Sequence, residues 1–327
     1  MSFVKRISVS TPAEGRAASA EKGKSTFLLA HLSDPHLSSV TGMRPAMLLS
    51  KRLPGYLSWC RRRRIHRPEV LDALLQDLSE TAPDQIAVTG DLTHLSLPDE
   101  FRQAAHWLAR LGPAEQVMVI PGNHDAYVPA AWEQSRDWWA PYLAGEEPGG
   151  EDAYPRLRVC GPVALIGLSS ARPSAPFLAV GSLGKTQLMK LDQLLEQTRR
   201  RGLVRILLLH HPPVAGSIAW RKRLTDAPRF AEVLGRRGAE LVLHGHAHVP
   251  FCGFLPAGGQ KIPVFGVPSA SDGRSKKPRR VSRYHLYRLR GENGAWKLRL
   301  TVRRYDPDTK RFATVRTEDI LLPFFTC

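Results

Sequence analysis

Five short strings rich in histidine and aspartate occur in a fixed order along the chain: Asp34-Pro35-His36, Gly90-Asp91, Gly122-Asn123-His124-Asp125, His210-His211 and His244-Gly245-His246-Ala247-His248. Their side chains are imidazoles, carboxylates and an amide, with no thiolate among them. Donors of this kind hold borderline divalent cations such as Mn, Fe, Co or Zn without selecting one. Two such ions bridged by one carboxylate, ~3.5–4 Å apart, can generate hydroxide near neutral pH and neutralise charge on a phosphate. The chemistry on offer is two-metal hydrolysis at phosphorus.

Each string alone has a plainer explanation. Asp-x-His is a common surface or capping pair, and Gly-Asp and Gly-Asn-His-Asp are ordinary turn sequences. His210 alone reads as a core or surface histidine. The order of the five, and the apolar run before each, is what makes them a set.

Those runs define the elements that must position the strings. Phe27–Ser33, Gln85–Thr89, Gln116–Ile120, Val204–Leu209 and Glu240–Leu243 read as strands, each ending at a string, and Val163–Leu168 reads as a further strand. Between them, Pro68–Glu80 places Leu71, Leu74, Leu75 and Leu78 on one helical face. A second helix, opened by a capping box at Ser96–Asp99, would bury Phe101, Ala104, Ala105, Leu108 and Leu111. Lys185–Arg200 turns Leu188, Leu191, Leu194 and Leu195 inward, and another helix spans Asp226–Leu234. From Lys261 onward the pattern is strand-rich, with Val281–Leu289 and Trp296–Val302 flanking a hairpin signal at Gly291-Glu292-Asn293-Gly294. This alternation predicts an α/β fold with ligands converging at the C-terminal ends of adjacent strands.

The 327 residues carry a formal net charge of +17, which favours anionic partners and says nothing about fold. Cys60, Cys160, Cys252 and Cys327 have no paired spacing, so reduced thiols in the cytoplasm are expected. Residues 1–25 read as a disordered basic tail without the apolar core of a secretory signal, and residues 26–327 as one domain. No stretch approaches the ~20 apolar residues of a membrane span.

The ordered set resembles the calcineurin-like metallophosphoesterase superfamily, whose pattern is D-x-H, G-D, G-N-H-D/E, H and G-H-x-H, over roughly Ala30 to Val249. The resemblance implies a layered α-β-β-α sandwich with two mixed sheets flanked by helices. It also implies one metal held by Asp34, His36 and His248, another by Asn123, His210 and His246, and Asp91 bridging both. His124 would contact the substrate phosphate and protonate the leaving oxygen, while a hydroxide between the metals attacks phosphorus; Asp91 and Asn123 would share in the catalysis. Protein serine/threonine phosphatases of this superfamily carry G-D-x-x-D-R-G, whereas here Gly90-Asp91 continues as Leu92-Thr93-His94. That departure argues against a protein phosphatase. His210-His211-Pro212-Pro213 and Gly90-Asp91-Leu92-Thr93 are similar to the bacterial cyclic-nucleotide phosphodiesterase branch. His211 and His244 are expected beside the site, and His94 in a structural or phosphate-contacting role.

Residues 43–67 form a basic insert next to the first string. Met43, Met47, Leu48, Leu49, Leu53, Tyr56, Leu57 and Trp59 alternate with Arg44, Lys51, Arg52, Arg61 to Arg64 and Arg67, and Pro54-Gly55 should break the segment in two. Such a stripe suits an anionic membrane surface on the inner face, an anionic substrate channel or a packed lid. It keeps open a membrane-facing substrate such as UDP-diacylglucosamine. A nuclease and a non-catalytic scaffold are further alternatives. Arg274, Lys276, Lys277, Arg279, Arg280 and Arg283 read as a solvated basic loop, without the aromatic interleaving that would favour nucleic acid. The oligomeric state is not encoded in any pattern.

Overall fold

The computed structural model describes residues 26–37, 52–62, 64–128, 136–143, 145, 154–274, 276–292, 295–323 and 325. The predicted tail 1–25, the insert up to residue 51, Arg63, the Asn293-Gly294 turn and Cys327 lie outside the described residues.

The first apolar run forms β1 (Thr26–Leu32), followed by helices α1 (Arg52–Arg62) and α2 (Pro68–Thr81). Strands β2 (Gln85–Val88) and β3 (Val117–Val119) extend the sheet in parallel, with α3 (Pro98–Leu111) crossing between them. After the short α4 (Ala140–Leu143), β4 (Arg156–Cys160) pairs antiparallel with β5 (Val163–Gly167). Helices α5 (Lys185–Arg200) and α6 (Ala227–Arg237) then connect β5, β6 (Val204–Leu208) and β7 (Leu241–His244), which are parallel. A hairpin of β8 (Phe251–Ala257) and β9 (Gln260–Gly266) completes the second sheet. The chain finally returns to the first sheet as an antiparallel meander, β10 (Arg283–Glu292), β11 (Ala295–Asp306) and β12 (Arg311–Ile320), with β10 beside β1.

The sheet orders are β12-β11-β10-β1-β2-β3 and β4-β5-β6-β7-β9-β8, both mixed. Leu29, Ala87 and Met118 of the first sheet meet Leu165, Ile206 and Leu243 of the second in one buried cluster. Leu74, Phe101 and Leu108 seal the first sheet's other face, and Leu191, Leu195 and Phe230 seal the second's. The result is the expected α-β-β-α sandwich. Strands covered on both faces favour apolar residues at successive positions, which is why β1, β2, β5 and β6 read as largely apolar runs and not as alternating ones. No described helix is long and apolar enough to cross a membrane.

Two local expectations change. Pro54-Gly55 does not break the insert: α1 runs through both, because Pro54 falls in its first turn, where no helical donor is lost. Gly55 is buried there, where a Cβ would lie 2.7 Å from both Leu95 Cδ2 and Tyr127 Oη, so the helix docks by its backbone. Arg52 anchors the same end by donating to the carbonyls of Leu95 and Ser96. Ser96 is also not the cap of α3. Its hydroxyl donates to the carbonyls of His124 and Asp125, while Glu100 accepts the backbone N–H groups of His94, Leu95 and Leu97. Burial raises the Glu100 pKa to about 7, opposed by those three donors.

The second sheet contains a buried ion pair. Arg205 on β6 is almost wholly enclosed and grips Glu240 with Nε at 3.0 Å and a second guanidinium nitrogen at 2.6 Å. Removing one partner strands the other's charge. Arg205→Met should lower the unfolding free energy by about 3–5 kcal/mol in a urea titration, and a loss below about 1 kcal/mol would contradict the reading.

Candidate metal centre

All five strings sit where parallel strands end: Asp34 after β1, Asp91 after β2, Asn123 after β3, His210 after β6, and His246 and His248 after β7. To point back over the sheet edge the chain must turn sharply. Nine described non-glycine residues have positive φ, and five of them are Asp34, His36, Asp91, His246 and His248, at 45° to 67°. That conformation is costly for residues with a Cβ and gathers where geometry is imposed by the surroundings. Two glycines permit the close approach. A Cβ on Gly122 would collide with the Asp91 carboxylate, and one on Gly245 with Ser33 Oγ and the Asp34 carboxylate.

The side chains converge in two groups that share Asp91. Asp34, His36, Asp91 and His248 bring one ligand-type atom each to within 4.8 Å of one another, as do Asp91, His210 and His246. In the first, His248 Nε2 lies 3.0 Å from Asp34 Oδ1 and 3.2 Å from His36 Nε2. In the second, His210 Nε2 lies 3.2 Å from both Asn123 Oδ1 and His246 Nδ1. One oxygen faces both groups: Asp91 Oδ2 is 3.3 Å from His210 Nε2 and 4.0 Å from His36 Nε2. Its other oxygen accepts the His124 backbone N–H.

Backbone carbonyls settle which ring nitrogens carry protons, since a carbonyl can only accept. His36 Nδ1 donates to Thr93 O at 3.1 Å, His210 Nδ1 to Thr89 O at 2.7 Å, and His246 Nε2 to Lys222 O at 3.1 Å. In the neutral form that a cation requires, these rings aim bare lone pairs at the centre. Two such acceptors 3.2 Å apart repel unless a proton or a cation lies between them. Asp34 Oδ1 is buried without a hydrogen bond, with His248 Nε2 at 3.0 Å and His36 Nε2 at 3.9 Å. Converging lone pairs, an orphaned carboxylate oxygen and a shared carboxylate fit two divalent cations.

Electrostatics shows the same crowding. Burial holds His36 and His246 well below the ordinary histidine pKa, helped by neighbouring imidazoles. Burial also opposes charge on His210, but Asp91 overrides it and lifts His210 to about 9. Asp91, despite burial, is held well below the usual carboxylate range by His210, His124 and His36.

His124 stands apart from both groups. Its Nδ1 donates to His94 O at 2.7 Å and its ring stacks on Tyr127, so only Nε2 is left to face the cleft. His211 spends both ring nitrogens on Ser170 and Ala179, and His244 Nδ1 donates to Gly245 O. Both flank the centre without entering it. His94 lines the cleft, its ring 5.0 Å from that of His124. Two residues to which the sequence assigns no role, His66 and Asp125, also shape the site. His66 comes from the insert, donates or accepts at Ser271 Oγ, and brings its ring to 4.6 Å from His36. Nothing distinguishes a lone histidine among arginines in sequence. The cleft holds about 290 Å³, with Arg221, Lys222 and Phe177 also on its walls. A larger groove of about 630 Å³ lies between α5 and α6, far from this chemistry in composition: its walls include Leu188, Met189 and Val233 and no histidine.

The model of the calcineurin-like phosphoesterase family matches residues 27–250. A protein of a Synechococcus strain named "probable cyclic nucleotide phosphodiesterase" is 32% identical over 184 residues, 55% of this chain and 63% of that one. One of the same description from Rhodococcus erythropolis is 29% identical over 234 residues, 70% of this chain and 67% of that one. The match thus spans under two thirds of the cyanobacterial relative. A dimetal phosphatase from Danio rerio shares the fold, with a TM-score of 0.58, 15% identity, and coverage of 90% of this chain and 98% of that one.

A cation that binds only the folded state stabilises it, by about 2.7 kcal/mol per site at ~100 times its Kd. Manganese should therefore raise the melting temperature of the wild type. Asp91→Asn, which weakens both groups together, should remove the rise and the bound metal measured by elemental analysis. Equal metal content in the two proteins would show that Asp91 is not shared between sites.

Proposed function

The chain belongs to the calcineurin-like phosphoesterase family; from that premise we propose a phosphoester hydrolase, specifically a two-metal phosphodiesterase of small substrates, cyclic nucleotides or similar phosphodiesters. Residues 26–327 are taken as the metallophosphoesterase unit. Asp34, His36 and His248 would hold one ion, Asn123, His210 and His246 the other, and Asp91 both. Imidazole, carboxylate and amide donors suit Mn, Fe, Zn or Co. Bound there, two divalent cations supply Lewis acidity, neutralising phosphate charge and acidifying water.

The chain's own residues do the rest. Peptide carbonyls orient His36, His210 and His246, so no reorganisation is needed when substrate arrives. The Asn123 amide, at the mouth of the second group, can hold a phosphate oxygen through its nitrogen while its Oδ1 faces His210. His124 Nε2 is the single ring atom of that residue able to reach a phosphate or a leaving oxygen. Burial keeps the ring neutral in the free protein. An anionic substrate beside it favours the imidazolium, which can then return its proton to the departing alkoxide. The observation that carries the reading is the convergence of bare ring nitrogens on both sides of Asp91 Oδ2. The cleft's volume, at the small end of ligand sites, supports a small substrate. A complete donor set speaks against a non-catalytic scaffold, and the free thiols of Cys60 and Cys252 suit a cytoplasmic location.

Manganese-loaded protein should hydrolyse bis(p-nitrophenyl) phosphate and a cyclic nucleotide, and His124→Ala should lower kcat by roughly 10²–10⁴ on the substrate with the poorer leaving group. Wild type no faster than His124→Ala or Asp91→Ala on any phosphodiester would end this proposal.

A second reading, a lipid-borne substrate such as UDP-diacylglucosamine presented at an anionic membrane, draws on the rim. Leu53 and Leu57 on α1 are 45% and 53% exposed, Phe177 is 85% exposed at the cleft, and Trp220 is 68% exposed beside Arg221 and Lys222. Under it, the wild type floats with phosphatidylglycerol vesicles and Leu53→Ser/Leu57→Ser does not. A wild type that stays with the soluble fraction removes this reading and leaves the first intact.

A further inference from the structure

A second cavity, of about 460 Å³, opens between the two sheets and shares no lining residue with the metal cleft. Its position makes its contents unexpected. On β10, β11 and β12 the inward face is set by Tyr287, Leu289, Leu298 and Leu300, which pack into the core between the sheets. Alternation carries that face onward to Arg283 and His285 on β10, Val302 and Arg304 on β11, and Arg316 and Glu318 on β12. Positions that a sandwich fills with apolar side chains thus hold three arginines.

Register makes the crowding worse. Arg283 and Arg304 are direct cross-strand partners, an arrangement of like charges that destabilises a sheet. Arg279 also lines the cavity, and the only carboxylate among its described lining residues is Glu318, paired with Arg316. Asp306, two residues beyond Arg304 and outside the lining, is the next acidic group along that strand. Arg283 is half-buried: a terminal guanidinium nitrogen donates to Pro278 O at 2.9 Å, while Nε is enclosed and has no hydrogen-bond partner. Burial lowers its pKa, and Arg304 and Arg279 lower it further. The floor is a neutral imidazole: burial and the nearby arginines push His285 down to about 3. Phe251 and Phe265 of the second sheet make an apolar wall opposite the charges, while Val302 lies among the arginines on the first.

We propose that this cavity is a binding site for the phosphate groups of a small anionic ligand, separate from the metal centre. Guanidinium groups match phosphate oxygens in pairs, and a ligand carrying two or more negative charges would relieve the repulsion between Arg283 and Arg304. The volume lies within the range of small-molecule sites and leaves room for a planar ring against Phe251 and Phe265. Phosphate chemistry is common to a free polyphosphate and a nucleotide, and the two are separable by experiment.

Cys252 lines the cavity and supplies a local reporter. In metal-loaded, full-length protein, alkylation of Cys252 by N-ethylmaleimide is followed by peptide mass spectrometry, with the exposed Cys60 as internal control. Pyrophosphate or AMP at about ten times its Kd should slow Cys252 alkylation roughly tenfold and leave Cys60 unchanged. Pyrophosphate acting alone identifies a polyphosphate site; stronger protection by AMP identifies a nucleotide site. Adenosine should give none. Arg283→Gln/Arg304→Gln should lose the protection, and exposed Arg316→Gln, a milder change, should weaken it. Glu318→Gln removes the one opposing charge and should strengthen protection, a gain that misfolding cannot mimic. No protection by either millimolar anion, or protection unaltered in the arginine variants, would overturn the proposal. Neither result bears on the phosphodiesterase reading, whose residues are untouched.

Discussion

The Asp125 carboxylate accepts four hydrogen bonds at once, and the centre depends on them. Oδ2 takes the backbone N–H groups of Asp91 and Gly122 at 2.8 Å, and Oδ1 takes the N–H of Thr93 at 2.9 Å and its hydroxyl at 3.1 Å. One buried side chain thereby ties the loop after β2 to the loop after β3. Burial, and the Asp91 charge beside it, raise the Asp125 pKa to about 7, while the donors that surround it favour the ionised form. Without this tie the shared carboxylate and the Asn123 amide would be set by two independent loops. With it, Asp91 is pinned from both ends: its N–H by Asp125, and its Oδ1 by the backbone of His124.

That pinning explains why left-handed backbone is tolerated at so many non-glycine positions. Each such residue costs on the order of 1–3 kcal/mol and survives only where its surroundings over-determine it. At Asp34 the determinants are visible: its N–H donates to Gly90 O, its carbonyl accepts from Ser269 Oγ, and its Oδ2 accepts from the His246 N–H. The last of these reaches from the first sheet to the second. The centre is thus a seam between sheets, stitched by polar contacts above a core whose apolar side chains interdigitate beneath it. The hydrophobic layers hold the strand ends at fixed spacing, and the ligand-bearing loops inherit that spacing.

Much of this was legible in the chain. Strand–helix alternation and long apolar runs foretold the layers, and the helix at 185–200 has the bounds its pattern indicates. The strings foretold which residues converge, since a string after a strand can only land at the sheet edge. What escaped was chemistry that has no period. Ser96 looks like a helix cap because serine before an acidic residue usually is one, yet here it braces the turn carrying His124. Asp77, which no pattern singles out on α2, is buried and accepts from Tyr284 and Arg303 of the first sheet. Pro54-Gly55 looks like a break and is instead a point of contact. In each case the deciding partner is tens to hundreds of residues away, and no local pattern encodes it.

The positive charge of the chain is the same problem on a larger scale. As a count it predicts anionic partners and nothing about where they bind. In the fold, many arginines are spent on structure: Arg236 and Arg237 on Asp192, Arg274 on Asp272, Arg303 on Asp77, Arg205 on Glu240. Pairs of that kind on the surface contribute little, and they leave no net attraction for a ligand. The arginines that matter for recognition are those whose positions are wrong for stability. Arg283, Arg304 and Arg316 occupy inward positions of a sheet with one carboxylate among them, and Arg221 with Lys222 borders the metal cleft. An arrangement that weakens the free fold yet is built into its regular strands has its compensation in what binds there.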